Sequence, residues 1–405
     1  MSNTTLTASI IAREAVRVLD NELVMAKKVF RGYEEDFDMK PNGYKVGDTI
    51  TIRKPADFTV RNGATASAQD VVEGSTTIVV DQRKGVDFKF TAQELTLKID
   101  ELSERVIRPA MVQLANQVDA SLHGLYKFVP NWVGTPGELV NSFADFAKAP
   151  NRLDNMAVPQ DMRCAVLSPD DHWGLVGSQT TLFNDTITKP AYRMGQTGQI
   201  ANIDLYMTQN VASHTVGSDV GGTVNQSITS ATTTYASVKD TMQQTITVAS
   251  LNLNPGDVFT IADVNDVNPV TKVNTGYAKQ FTCISYSSNS LVFYPAMIWS
   301  GAFQNVAIIN GTTDLNTKAI AGVGTANTAY RQNMVFHKNA FALVSVPLIS
   351  PPGAVDVGRQ TYKGTSVRVI PVYDGINDES MWRLDILYGV KAVDPRLAVR
   401  LSGTA

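Results

Sequence analysis

Apolar residues at Ile11, Ala15, Val18, Leu19, Leu23, Ala26 and Phe30 recur at helical spacing, so residues 7–31 read as one helix. Thr7 or Ser9 can cap it. From Gly43 the period changes to two. Residues 46–53 alternate apolar and polar, and residues 77–81 and 86–90 read as further strands. Residues 62–68, Asn-Gly-Ala-Thr-Ala-Ser-Ala, have little to bury. The pattern predicts a long two-stranded ribbon with a flexible tip, which is marginal in water and needs another surface to lie on.

Thr91-Ala92-Gln93-Glu94 has the spacing of a capping box, in which hydroxyl and carboxylate satisfy each other's backbone N–H groups. The helix it opens keeps its period through Leu95, Ile99, Leu102, Val106, Met111, Leu114, Val118, Leu122 and Leu125, with Pro109 set to kink it. A second helix is expected over residues 136–147, then a strand at 163–167, a turn at 168–171 and a strand at 203–211.

At about His214 the composition shifts. Through Thr328 it is rich in Ser, Thr, Asn, Gly and Val, and short strands are expected at 245–248, 258–261, 281–286, 290–294 and 306–309. Short strands punctuated by turns such as Asn254-Pro255-Gly256-Asp257 indicate a small barrel or sandwich inserted into a mixed α/β body. Strand patterns resume at 341–346, 366–370, 383–388 and 398–401.

The chain of 405 residues exceeds one ordinary core and predicts two or three domains. With 18% charged residues and a formal net charge of −3 it offers no basic field for phosphate backbones, which argues against sequence-specific nucleic-acid binding. Cys164 and Cys283 are expected to be buried thiols in a reducing compartment. The opening residues lack a signal-peptide pattern, and no run of 18 apolar residues offers a membrane span.

Catalytic chemistry finds little support. His123, His172, His214 and His337 have no metal-ligand spacing, and there is no nucleophile elbow, phosphate loop or dinucleotide fingerprint. His172 beside Asp170 and Asp171 has the ingredients of a general base, and equally of a solvated turn. The acidic run Glu34-Glu35-Asp36-Phe37-Asp38 reads as a solvated turn or a docking patch for a basic partner. No catalytic residue, metal or cofactor is expected.

Six stretches carry a resemblance. The ending LYGVKAVDPRLAVRL (387–401) resembles the C-terminal strands of tailed-phage coat proteins of the Johnson-fold superfamily, in particular the podovirus type with an inserted domain and a separate scaffolding protein. GDTITIRKP (47–55) is similar to the start of that family's extended loop and LANQVDASLHGLY (114–126) to its spine helix. LSPDDHWGLV (167–176) and PAYRMGQTGQIANIDLYMTQNV (190–211) resemble the passage from peripheral to axial domain, and NPGDVFTIADV (254–264) a strand and turn of the insertion barrel.

The resemblance implies an α+β Johnson-type fold divided as N-terminal helical arm (1–36), extended β-ribbon (37–90), peripheral domain with spine helix (91–160), peripheral and axial core (161–213), inserted all-β barrel (214–328) and axial domain with C-terminal strands (329–405). It implies hexamers and pentamers in an icosahedral shell, made in the host cytoplasm with a scaffolding protein, a portal and possible decoration proteins, and matured around packaged DNA. Intersubunit contacts then fall to the arm and ribbon, with Arg13, Arg17, Arg53, Arg61, Asn62, Asp70 and Glu73 as candidates. The family's charged insertion loop matches residues 217–240, where Asp219, Lys239 and Asp240 are the only charges; Lys239 and Asp240 join the candidates. The alternative is a carbohydrate-binding or adhesion protein built on the β-rich region, which requires exposed aromatic residues there; a hydrolase ranks third.

Overall fold

A computed structural model describes residues 8–33, 49–61, 63–65, 68–91, 106–179, 198–351 and 357–404. Its main helices are α1 (Ala8–Glu22), α2 (Arg108–His123), α3 (Phe143–Asn155) and α4 (Pro169–Gln179). The strands begin with β1 (Thr49–Arg53), β2 (Ser75–Val79), β3 (Gln82–Thr91), β4 (Trp132–Val133), β5 (Arg163–Leu167), β6 (Gln199–Ile200), β7 (Ile203–Met207) and β8 (Ser213–Thr215). There follow β9 (Gly221–Val224), β10 (Gln244–Ala249), β11 (Val258–Val267), β12 (Asn274–Ser287), β13 (Ser290–Tyr294), β14 (Val306–Ile308) and β15 (Ala319–Gly322). The last are β16 (Ala329–Arg331), β17 (Asn333–His337), β18 (Phe341–Ser345), β19 (Gly358–Tyr362), β20 (Thr365–Asp374), β21 (Glu379–Ala392) and β22 (Ala398–Leu401). The chain divides into two compact units.

The first unit comprises residues 1–50, 77–122 and 341–391. Its five-stranded sheet is built around β21, which pairs antiparallel with β20 on one side and with β3 over ten consecutive positions on the other. The periodicity of residues 383–388 suggests a strand ending at Tyr388, yet β21 runs on to Ala392 through Gly389. There a Cβ would fall on the Val79 carbonyl, so only glycine lets the end of β2 pass this closely. Helix α1 lies across β19 and β20, burying Ile11, Ala12, Ala15, Val16 and Leu19.

Helix α1 is shorter than its apolar period. Leu23, Ala26 and Phe30 continue the spacing, but the helix ends at Glu22 because the buried Asp119 carboxylate accepts hydrogen bonds from the N–H groups of Val24 (2.7 Å) and Ala26 (3.0 Å). Phe30 then bridges to β18 through Phe341 and Leu343. Burial raises the Asp119 pKa despite those backbone donors. Asp119→Ala orphans both N–H groups, and a loss of about 2 kcal/mol or more is expected in a denaturant titration; a loss below the error of the titration removes the carboxylate from this role.

Thr91, the expected cap, is the last residue of β3, opposite Glu379; the rest of the expected capping box and the expected first half of the spine helix, residues 92–105, lie outside the described residues. Val106 and Ile107 form a π turn directly ahead of Pro109, which sits in the first turn of α2.

The second unit comprises residues 51–76, 123–340 and 392–405. A mixed six-stranded sheet runs β4-β22-β17-β5-β7-β6. Strands β5, β17 and β22 are buried at every position, so both faces are covered, and Phe146, Leu153, Val335, Val399 and Leu401 share one core. Two expected elements move. The helix expected at 136–147 starts at Phe143, because Ser142 caps it by accepting the Asp145 N–H, and it continues through Pro150. The expected turn at 168–171 is the start of α4, where Ser168 accepts the Asp171 N–H and Pro169 takes the first helical position.

The chain leaves this sheet on β8 and returns on β16, which pair with Thr215 opposite Ala329 and Ser213 opposite Arg331. Between them β12-β13-β10-β9-β15-β11 are hydrogen-bonded in order, and the pairing of β11 with β12 closes the six into a ring, with β14 attached to β11. β10 alternates buried and exposed along its length. Phe259, Phe281 and Phe293 meet in the interior with ring centroids 5.1–5.7 Å apart.

Candidate assembly surfaces and the polar clamps that hold them

Arg400 stands in the apolar run of β22 and is fully buried. Its Nη1 donates to the Gly256 carbonyl (2.7 Å) and Gln332 Oε1 (3.3 Å), and its Nη2 to Thr282 Oγ1 (3.3 Å). The guanidinium lies 5.2 Å from the centroid of Tyr126 and 5.7 Å from that of Trp132, so two aromatic faces stand where a carboxylate would. Burial pulls its pKa down to about 9, against the opposing effects of Tyr126 and Asp257. Beside it Asp257 accepts from the N–H groups of Gly217 (2.9 Å) and Asn254 (2.6 Å) and lies 2.7 Å from His214 Nε2. His214 Nδ1 is 3.0 Å from the Tyr126 hydroxyl. The turn Asn254–Asp257 therefore fastens the start of the strand ring to the sheet beneath it.

A second clamp centres on Asp266 at the far end of β11. Its Oδ1 accepts from Lys279 Nζ (2.7 Å) and its Oδ2 lies 2.8 Å from Arg152 Nη2. All three residues are buried, so two cations share one carboxylate. Burial lowers the Lys279 pKa, and Asp266 opposes that shift. Arg152 also donates to Asn131 Oδ1, and Gln280 bonds both the N–H and the carbonyl of Trp132 at 2.8 Å. Alongside runs a groove of about 540 Å³ lined by Lys148, Asn151, Asn155, Tyr277 and Gln280.

A third lies in the first unit, where Asp385 accepts from Arg83 (2.9 Å), Arg368 (2.7 Å) and Arg383 (2.9 Å). Burial pushes the carboxyl up, but hydrogen bonds from the three guanidinium groups outweigh it and hold the carboxyl below its usual range.

The nine residues nominated from the sequence divide sharply. Arg53 and Glu73 face each other across the ribbon at 3.7 Å, an exposed pair of little energetic weight. Asp240 is engaged within the chain: its Oδ1 accepts the N–H (2.8 Å) and hydroxyl (2.9 Å) of Ser75, which hold the carboxyl below its usual range. Lys54 Nζ reaches the Asp240 carbonyl at 2.8 Å, and Gly74 packs under the Lys239 carbonyl. Arg61 donates to the carbonyls of Gly63 and Thr65 at the ribbon tip. Asp70 is exposed, and Asn62 lies outside the described residues. Arg13 and Arg17 sit on the outer face of α1, Arg17 with Glu14 at 3.4 Å.

Reasoning from charge passed over the apolar residues of these surfaces. Val60 is 95% exposed, Val71 64% and Phe58 58%, all on the ribbon. In the sequence they stand as apolar residues among Thr, Arg and Ala, in a segment with little to bury.

Asp171 is turned to the Val140 N–H (2.8 Å) and Asn333 Nδ2 (2.8 Å), and His172 packs edge-on to Trp173. Among the described residues no three His, Cys, Asp or Glu side chains come together as a metal site. Cys164 and Cys283 are buried, which pushes the Cys283 thiol up to about 12. Among the described residues no helix is long and apolar enough to cross a membrane.

His123 is fully buried at the end of α2, with neither ring nitrogen hydrogen-bonded among the described residues, and burial pulls its pKa down to about 4. The unfolded chain takes up this proton near pH 6.5, so stability is intact above that pH and falls as pH drops toward 4. His123→Phe should make the chain about 2–3 kcal/mol less sensitive to a change from pH 7 to 4.5 than the parent in denaturant titrations. Equal sensitivity contradicts the assignment.

A family model described as P22 coat protein - gene protein 5 matches residues 1–403. The major capsid protein of Acyrthosiphon pisum secondary endosymbiont phage 1 is 22% identical over 384 residues, covering 88% of this chain and 89% of that one. Among solved structures, one of Mycobacterium phage Che8 aligns with a TM-score of 0.51 at 14% identity, over 93% of this chain and 90% of the other. The asymmetric unit of the bacteriophage PhiM1 mature capsid aligns with a TM-score of 0.42 at 11% identity, over 89% and 82%.

Proposed function

Because the chain belongs to the P22 coat protein family, and is thus a phage major capsid protein, we propose that it assembles as hexamers and pentamers into an icosahedral procapsid and matures into the shell around packaged double-stranded DNA. A scaffolding protein guides that assembly and a portal occupies one vertex; a decoration protein is a further possible partner. The place of action is the virion capsid, and the role is structural. Residues 214–328 act as the inserted barrel of this coat-protein type, held on the body by the Arg400 and Asp266 clamps. Many modest interfaces, individually reversible, then add to a strong whole.

The observation that carries this reading is the ribbon. Residues 51–76 hold Phe58, Val60 and Val71 exposed on backbone with no core beneath them, which suits a segment covered by neighbouring subunits. The adhesion alternative calls for a cluster of exposed aromatic rings in the β-rich region; there Tyr277 is 54% exposed, while Trp299 packs against the ring core and Tyr235 is stacked on Phe303 at 3.4 Å. Deleting residues 62–68 should leave the unfolding midpoint of the chain unchanged and abolish fast-sedimenting shells on co-expression with the scaffold. Normal shells from that deletion remove the ribbon from assembly.

A further inference from the structure

The hairpin joining β20 to β21 ends in an apolar knob. Ile376 at its tip is 94% exposed, and Tyr373, Val372 and Met381 behind it are 64%, 45% and 40% exposed. The knob is preorganised: Asp374 accepts from the Ile376 N–H (2.9 Å) and from Asn377 Nδ2 (2.7 Å), while the Tyr373 hydroxyl donates to Asp378 (2.9 Å). Asp374 and Asp378 flank the isoleucine, and neither has a cationic partner among the described residues.

At the other end of the same sheet a groove of about 440 Å³ runs between α1 and β19. Arg13 and Arg17 stand on one wall, Gln360 and Tyr362 on the other, with Val16 buried beneath; among the described residues no carboxylate lines the groove, and Glu14 reaches Arg17 from outside it at 3.4 Å. We propose that the Ile376 knob of one copy seats in the α1–β19 groove of a second copy, with Asp374 and Asp378 meeting Arg13 and Arg17. A chain is unable to fill its own groove. Gln360 and Tyr362 pair with Val367 and Thr365, and Asp374 lies seven residues beyond Val367 along β20, about 23 Å away at ~3.3 Å per residue. Tip-to-groove contact is head-to-tail, the kind that closes into rings when repeated.

The proposal rests on the capsid reading, and two cysteine pairs test it in assembled shells: Arg13→Cys with Ile376→Cys, and Gln360→Cys with Ile376→Cys. Arg13 and Ile376 are exposed and Gln360 is half-buried, and both native cysteines are buried, so background disulfides stay low. The parent chain is assembled first; failure to form shells there defeats the capsid reading itself, and the proposal with it. From shells, mild oxidation should give interchain ladders with both pairs and with neither single variant. Absence of ladders overturns the contact, and so does crosslinking by Ile376→Cys alone, which places tip against tip. Independently, Arg13→Glu and Asp378→Lys should each lower shell yield about tenfold and the pair together should restore it; loss without restoration overturns the contact.

Discussion

Replacing Asp266 by asparagine is expected to lower stability by about 3–5 kcal/mol, read as a shift of the urea midpoint of the full chain. The carboxylate is buried between Lys279 and Arg152, which are themselves buried, and its loss leaves two cations in low dielectric with no counter-charge. Desolvation is far costlier for an unpaired ion than for a paired one. Lys279→Met in the Asp266→Asn background should return about half of the loss, because Arg152 still has Asn131 as a partner. If Asp266→Asn costs under about 1 kcal/mol, water reaches the site and the clamp is not what pins β11 and β12 to α3.

Arg400→Leu is expected to cost about 3 kcal/mol or more, although leucine suits the apolar pattern of β22 better than arginine does. Leucine leaves the Gly256 carbonyl, Gln332 and Thr282 without the donors that reach them now, and it leaves the faces of Tyr126 and Trp132 without their cation. Arg400→Lys should rescue little, since an ammonium is unable to span these acceptors as the planar fork does. Amide exchange should quicken first around the Asn254–Asp257 turn. An Arg400→Leu variant as stable as the parent would show that the guanidinium is tolerated rather than needed.

Local pattern was enough for elements whose burial alternates or whose ends are marked by turn residues. Strands Arg163–Leu167, Ser290–Tyr294 and Ala398–Leu401 stand where the sequence puts them. Where tertiary contacts decide, pattern misleads. Helix α1 stops early because a carboxylate 95 residues away takes the Val24 N–H, and Asn333–His337 shows no alternation because the sheet buries both of its faces. The clamps were illegible for the same reason: Asp257 and Asp266 look like ordinary turn and strand residues until Gly217 or Arg152 is brought beside them. The family was legible, because it is written across short motifs along most of the chain. Exposed apolar side chains such as Val60 and Ile376 were passed over, because the sequence reading weighed charge.

The central claim is that this chain builds a closed shell, and electron microscopy of gradient-purified material from co-expression with the scaffolding protein of the same phage tests it most directly. Closed particles of uniform diameter, lost when residues 62–68 are deleted, are the predicted result. A folded monomer or small oligomer with no shells, at every ratio of scaffold and every salt concentration, contradicts it.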